Sequence, residues 1–453
     1  MRAVREGDSR HPGEKEQHGR KGPNHDPHIA PRPISEGSLS ARDAVEQGGD
    51  CYRIETEARC GRLCRPGQGL RGKSTISEKL NVFLPLEVIP EAPLPRGPAR
   101  RKDSWGVDRT LKEAAMPIII DGENEGFALF GDTNGDLDGH ARARGQRIRV
   151  DGEDIGAGRL IGDARELHDH ARGGNDRILA VRFDELEVVG DALVIEGRAR
   201  GGHDRIRASA LNEAQVSGDA FTLQDRARGG DDVIWVGGER FAAGIGDAGE
   251  ISGRARGGDD ILLASGRVAN NLRGDAERMS GNSRGGDDVV IGATGATNSL
   301  AGDATSLVGR ARAGNDRVIG ADGRRGAGEP ETQNFMYGDG VTLEERSRGG
   351  NDVLVSGTFA DDTMYGDAFQ VRDIAQTGRD RFVFAPDNGN DRIWDFQPGR
   401  DRIDLRAFDF DDFSDVRSLF ERTTDGLRIT FDAENSIQLV AIESLSARDI
   451  LIG

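Results

Sequence analysis

Gly162-Asp163-Ala164, followed twelve residues after Gly162 by Gly174-Asn175-Asp176, is the stretch that decides the fold, because the chain says it again and again. The Gly-Asp step returns at Gly190, Gly218, Gly246, Gly274 and Gly302, then at Gly338 and Gly366. The second block keeps phase: Gly202-His203-Asp204, Gly230-Asp231-Asp232, Gly258-Asp259-Asp260, Gly286-Asp287-Asp288, Gly314-Asn315-Asp316 and Gly350-Asn351-Asp352. The period is 28 residues, and one insertion around Ala321–Pro330 displaces both blocks together. A fixed period of this size predicts a solenoid, in which each repeat buries its apolar face only against its neighbours.

Within a unit, as in Gly285-Gly286-Asp287-Asp288-Val289-Val290-Ile291, short β-prone runs alternate with Gly/Asp/Asn turns. The apolar residue two after the second acidic position (Ile178, Ile206, Ile234, Leu262, Val290, Val318 and Leu354) is predicted to point inward and stack on its copies. Glycine permits the tight turns, and carboxylates and carbonyls gathered there are hard oxygen ligands.

Composition agrees with a thin core. Hydrophobic residues make up 35% of the 453, against about 45–50% apolar in ordinary domains. The formal charge of −18 is unevenly spread: residues 1–115 hold 21 basic and 17 acidic residues, and the remainder 40 and 62. An acidic repeat body suits divalent cations and argues against nucleic acid. Cys51, Cys60 and Cys64 all precede the repeats, so the body has neither a disulfide framework nor a thiol site. No run reaches the 18 or so apolar residues of a membrane span, and Met1–Asn24 lacks the apolar stretch of a signal peptide.

Residues 1–115 contain all six lysines and 11 of the 15 prolines. That break predicts a disordered extension, an over-extended reading of upstream DNA, with Met116 as the true start. Gly67-Gln68-Gly69-Leu70-Arg71-Gly72-Lys73-Ser74 fits the phosphate-loop pattern, but no apolar strand precedes it to aim the loop. Cys60 and Cys64 beside four histidines lack the order of a closed zinc site. Residues 116–161 read as a degenerate first repeat and N-terminal cap, with Gln146-Arg147 where the acidic pair should stand. Asp132, Asn134, Asp136 and Asp138 there have the spacing of a calcium-binding turn.

The repeats over about 131–405 resemble the repeats-in-toxin (RTX) family of hemolysin-type calcium-binding repeats, whose nonapeptide ends Gly-x-Asp-x-apolar as Gly174-Asn175-Asp176-Arg177-Ile178 does. The likeness is strongest at Asn388-Gly389-Asn390-Asp391-Arg392-Ile393 and at Gly399-Arg400-Asp401-Arg402-Ile403-Asp404-Leu405. Ala171 and Arg172 depart from it at the first two glycines. The resemblance implies an all-β, right-handed parallel β-roll or β-helix solenoid over 162–405, with several Ca²⁺ ions between turns, about one per repeat. Carried over, the side-chain ligands are Asp176, Asp204, Asp232, Asp260, Asp288, Asp316, Asp352, Asp380 and Asp391. Their neighbours Asn175, Asp231, Asp259, Asp287, Asn315, Asn351 and Asn390 join them. Second in rank are the Gly-Asp-Ala aspartates Asp163, Asp191, Asp219, Asp247, Asp275, Asp303 and Asp367. It further implies an extracellular protein exported by type I secretion machinery through an uncleaved C-terminal signal, folding on Ca²⁺ after export.

The alternative is a structural or adhesive solenoid that docks on a cell surface or another chain, in which calcium only stiffens the rod or Arg–Asp pairing replaces it. Residues 406–453 read as a small cap and secretion-signal region. Phe413, Val416, Leu419 and Phe420 lie at helical spacing, and Leu427/Ile429/Phe431 with Ile437/Leu439 alternate as a hairpin. No enzyme is expected. His-Glu-x-x-His is missing, and Gly281-Asn282-Ser283-Arg284-Gly285 fits the nucleophile-elbow pattern only because it falls in repeat phase, with no histidine after it.

Overall fold

Alternation builds the coils. In Val233–Gly238, Ile234 and Val236 are buried while Val233 and Trp235 are half-buried, the two-residue period of a pleated strand. Phe241–Ile245 and Ala248–Ile251 complete a coil of three strands, and each pairs in parallel with its counterpart 28 residues on: Val233↔Ile261, Phe241↔Ala269 and Ala248↔Ala276. The computed structural model describes residues 119–121, 127–152, 156–324 and 331–453. It is a parallel β-solenoid in which two strands per coil form a 23-stranded sheet and the third forms a nine-stranded sheet. The phosphate-loop pattern, the cysteines and the proposed extension 1–115 lie outside the described residues.

The inward stacking read from the sequence is present. Ile178, Ile206, Ile234, Leu262, Val290, Val318 and Leu354 are all buried in one continuous cluster, joined by Leu160, Val188, Val216, Leu272 and Leu300 from the neighbouring strand. A second, separate cluster lines the nine-stranded sheet. It is a column of Ala192, Ala220, Ala248 and Ala276 beside Ile195, Leu223, Ile251 and Met279, with Ala199, Ala227 and Ala255 opposite. Alanine-size side chains keep this half of the coil thin.

Coils stack closely enough that glycine is required at two corners. A Cβ at Gly258 would fall inside the van der Waals shell of the Gly230 carbonyl, and one at Gly246 inside that of Gly274. The insertion lies between Ile319 and Gln333. Pairing resumes beyond it at Thr297↔Gln333 and Ala304↔Gly340, a 36-residue coil among 28-residue ones.

Four successive coils carry a ladder that the motif reading missed. Asn270 donates through Nδ2 to Asn298 Oδ1 at 2.9 Å, Asn298 to Asn334 at 2.8 Å, and Asn334 to Asp362 at 2.6 Å. All four are buried, each amide satisfying the next.

The tail contains both elements that its spacing predicted. Phe413–Ser418 is a helix capped by Asp412, and Gly426–Thr430 pairs antiparallel with Ser436–Val440 in the register Leu427↔Leu439. A further strand, Phe420–Thr423, joins that hairpin. Ser436–Val440 and Ile450–Leu451 then extend the larger sheet in parallel, on Asn390–Ile393 and Arg402–Asp404. The cap thus continues one sheet only. The nine-stranded sheet ends at Ala368–Val371, where Phe369, Val371 and Ile374 are exposed.

Candidate metal centre: two buried aspartate columns

Between the two apolar clusters run two columns of aspartate. The first consists of Asp176, Asp204, Asp232, Asp260, Asp288, Asp316, Asp352 and Asp380, each no more than 2% exposed. From Asp204 on, each accepts at Oδ1 from the backbone N–H of the equivalent aspartate one coil earlier: Asp232 from Asp204 at 2.7 Å, Asp260 from Asp232 at 2.7 Å, Asp316 from Asp288 at 2.8 Å; Asp176 accepts from the Gln146 N–H at 2.7 Å. Their Oδ2 atoms are buried and accept no hydrogen bond. The second column is the Gly-Asp step: Asp163, Asp191, Asp219, Asp247, Asp275, Asp303, Asp339 and Asp367, also buried. These accept from the second glycine of the later block, as Gly202 donates to Asp191 at 2.7 Å and Gly258 to Asp247 at 2.9 Å. One oxygen of Asp163, Asp191, Asp247, Asp275, Asp303 and Asp339 remains without a partner.

The first glycine of each block makes the space. A Cβ at Gly229 would strike carboxylate oxygens of both Asp219 and Asp247, and one at Gly257 those of Asp247 and Asp275. Ala313 and Thr377 take that position in two later coils, leaving less room there.

Burial, and then the charges of the other aspartates, holds these carboxyls above the usual range. Asp163 is pushed up to about 7 and Asp176 to about 8, by loss of water first. Asp204, Asp232, Asp260 and Asp288 lie well above 3.8 for the same reason, each with a neighbouring aspartate as the next cause. Arg400, at the C-terminal end, and His203 act against the rise at Asp367 and Asp219, but burial outweighs both. None of the coil arginines forms an ion pair with either column among the described residues.

A pH dependence follows for the metal-free chain. Unfolded, these aspartates titrate near 3.8; folded, Asp163 and Asp176 hold their protons to about 7 and 8. Their contribution to stability is complete below the unfolded value and is lost as pH rises through the folded ones. In chelator, more β signal in the far-UV spectrum is expected at pH 5 than at pH 8.5. A β signal that rises with pH over that interval would contradict the burial of free carboxyls.

Of the residues singled out from the sequence, the structure separates the two members of each pair. Asn175, Asp231, Asp259, Asp287, Asn315 and Asn351 face solvent in a row of their own, and Asn390 is exposed elsewhere, its N–H on Asp361. There Asp259 accepts from the Asp287 N–H at 2.9 Å and Asp287 from the Asn315 N–H at 2.8 Å. Asp391 stands apart from both columns, at the foot of the asparagine ladder, accepting from Asp362 N–H, Ser356 and Asn388. Asp339, Asp362, Asp395 and Asp401 were missed. Asp339 sits in phase, but Gly340 breaks the Gly-Asp-Ala signature; Asp401 receives the Asp380 N–H at 3.0 Å and closes the first column.

In the first repeat the pairing Arg147↔Arg177 places Gln146, not the Gln146-Arg147 pair, in phase with Asp176, with Gly145 in phase with Asn175. Asp132 takes the Gly-Asp position and bonds Gln146 and the Arg144 N–H, while Asp136 groups with Glu166 and His168 on the outer face of the smaller sheet. The calcium-turn spacing of Asp132 to Asp138 is therefore divided between two places. Ser283 is fully buried in the alanine column between Ala255 and Ala311, its hydroxyl without a partner, so the elbow pattern presents no accessible nucleophile.

The donor set fits a hard cation. It is all carboxylate oxygen, 14 of the 32 atoms unsatisfied, and among the described residues neither column contains a histidine or cysteine to favour zinc. Magnesium requires near-ideal octahedral geometry and retains waters, for which closely stacked coils leave little space.

Residues 283–452 match the family model described as Peptidase M10 serralysin C terminal, which is an RTX-type repeat region; that match and the parallel solenoid of short coils with glycine corners fit an RTX repeat protein. No curated protein matches the chain. No helix among the described residues is long and apolar enough to cross a membrane.

Proposed function

We propose that the chain is a secreted calcium-binding protein whose repeat body folds when Ca²⁺ enters the aspartate columns. One observation carries the reading: sixteen buried aspartates in two adjacent columns, most with an oxygen that nothing satisfies. Burying ionised carboxylates without counter-charge is strongly unfavourable, and removing one partner of a buried charge set costs about 3–5 kcal/mol. Calcium supplies the missing positive charge. Asp176, Asp204, Asp232, Asp260, Asp288, Asp316, Asp352 and Asp380 would hold it together with the Gly-Asp aspartates, whereas the exposed Asn/Asp row caps backbone. The arginine-stapled alternative finds no support, because the coil arginines do not reach the columns.

Binding to the folded state alone adds folding free energy that the thin cores lack. Export as an unfolded chain by type I machinery, from a calcium-poor cytoplasm to a calcium-rich exterior, accords with that coupling. Recovery of the chain only inside cells would remove the export step.

The test is far-UV circular dichroism of the full chain in chelator, titrated with CaCl₂. A cooperative gain of β signal with calcium and not with magnesium is expected, and calorimetry then counts the ions. An unchanged β spectrum throughout would overturn the reading.

A further inference from the structure

One feature of every coil belongs to neither the cores nor the carboxylate columns. Arginine occupies the same position in eight successive coils, from Arg142 and Arg172 through Arg228 and Arg256 to Arg348, each bridged in parallel to the next. The backbone there is held from both sides: Arg228 N–H donates to Ala199 O at 3.1 Å, and Gly201 N–H to Arg228 O at 2.9 Å. All eight side chains are exposed. Among the described residues none of them makes an ion pair or a side-chain hydrogen bond. Two residues earlier lies a second exposed row, His140 and His170 followed by Arg198, Arg226 and Arg254, then Asn282, Arg310 and Arg346, so that five of its eight positions are arginine.

Repetition alone does not account for this. On the outer face of the nine-stranded sheet, one exposed or half-exposed position reads Glu166, Val194, Thr222, Glu250, Arg278 and Ser306 in successive coils. That column has diverged freely, whereas the arginine has been kept eight times over in a chain of net charge −18. A row of like charges, unpaired and spaced by one strand separation of about 4.8 Å, is mildly unfavourable on its own. A ligand that supplies anions at a matching repeat explains its retention.

We propose that the double arginine row is a docking track for a linear acidic polysaccharide. The track crosses eight coils and is about 34 Å long at that strand spacing, a one-dimensional pattern that suits a chain more than a flat lipid surface. Guanidinium groups meet carboxylate and sulfate in forked pairs. Single-stranded nucleic acid is read with aromatic platforms between the cations. Here, from Arg198 onward, the positions between and beside the two rows are alanine, glycine, serine and acidic residues, as in Asp225-Arg226-Ala227-Arg228-Gly229 and Gly253-Arg254-Ala255-Arg256-Gly257, and the rings His140 and His170 stand only in the first two coils. Double-stranded DNA carries a charge every 3.4 Å or so along each strand, out of step with the coils. The inference is independent of whether the aspartate columns bind calcium.

The experiment measures binding of the full chain, in calcium buffer and with its β spectrum recorded, to fluorescein-labelled chondroitin sulfate by anisotropy. Neutral dextran, oligo-dT and phosphatidylserine vesicles are run in parallel. The expected result is salt-sensitive binding to chondroitin sulfate. It should fall about tenfold or more in R200Q/R228Q/R256Q/R284Q and by less in the matching Arg→Lys variant, which keeps the charge but loses the fork. A second set, R226Q/R254Q/R310Q, should also weaken binding, and serves if the first does not fold. Equal binding by folded glutamine variants, no binding by the native chain, or tighter binding to oligo-dT or vesicles would each overturn the proposal.

Discussion

Replacing Gly258 by alanine is expected to destabilise the calcium-loaded protein by about 3 kcal/mol or more, at the upper end of overpacking effects. The new methyl group would have to occupy the space of the Gly230 carbonyl, with the Gly230 backbone carbon and Asp231 N–H close behind. Those atoms are backbone and cannot swing aside as a flexible side chain would. The Gly258 N–H is also the donor to Asp247 at 2.9 Å, so any shift that admits the methyl group breaks a buried carboxylate contact. Gly135→Ala is the control. The nearest atom to its Cβ would be the Thr133 hydroxyl oxygen at 3.5 Å, an ordinary contact, and the change should be nearly neutral. Urea unfolding in excess calcium makes the comparison, and similar midpoints for the two variants would show that the coils are less tightly stacked than described.

Asp260→Asn should have effects of opposite sign with and without calcium. Asp260 Oδ1 takes the Asp232 N–H at 2.7 Å, which the asparagine carbonyl can also do. Its Oδ2 has no partner and lies among the charges of Asp232 and Asp219. In chelator, the amide removes a buried carboxyl and offers a donor to the unsatisfied oxygens around it, so the residual β signal should rise. In calcium, one charged ligand is gone, and affinity at that coil should fall about tenfold or more. The ladder from Asn270 to Asn334 shows that this solenoid accommodates a buried amide column without an ion. Far-UV spectra in the two buffers decide it; a β signal lowered in both would mean that the Asp260 carboxylate is stabilising without metal.

The period, the phase and the inward apolar column were legible because stacking makes each position of a coil meet the same position of the next, so one physical demand is written many times. Glycine at 230, 258 and 286 is such a demand. What a single coil decides was harder to read. Asn270, Asn298 and Asn334 occupy a strand position that is Ala242 in the preceding coil, and no motif marks them. In each acidic pair the pleat, not the residue type, determines which member is buried: Asp231 and Asp232 are chemically alike, but only Asp232 faces inward. Asp391 was grouped with the first column because its motif is the same. The last coils change length, with Arg381 pairing to Arg402 only 21 residues on, so the motif reappears in a different column.

The 36-residue coil has a practical consequence. Eight additional residues enter between Ile319 and Gln333, yet Asn298↔Asn334 and Asp316→Asp352 connect as if nothing had intervened. Lateral hydrogen bonds between coils, not contour length along the chain, keep the rod aligned. That corner is therefore a natural port: a peptide tag, a protease site or a small folded domain grafted there would hang from the side of the rod while the rungs above and below continue to count correctly.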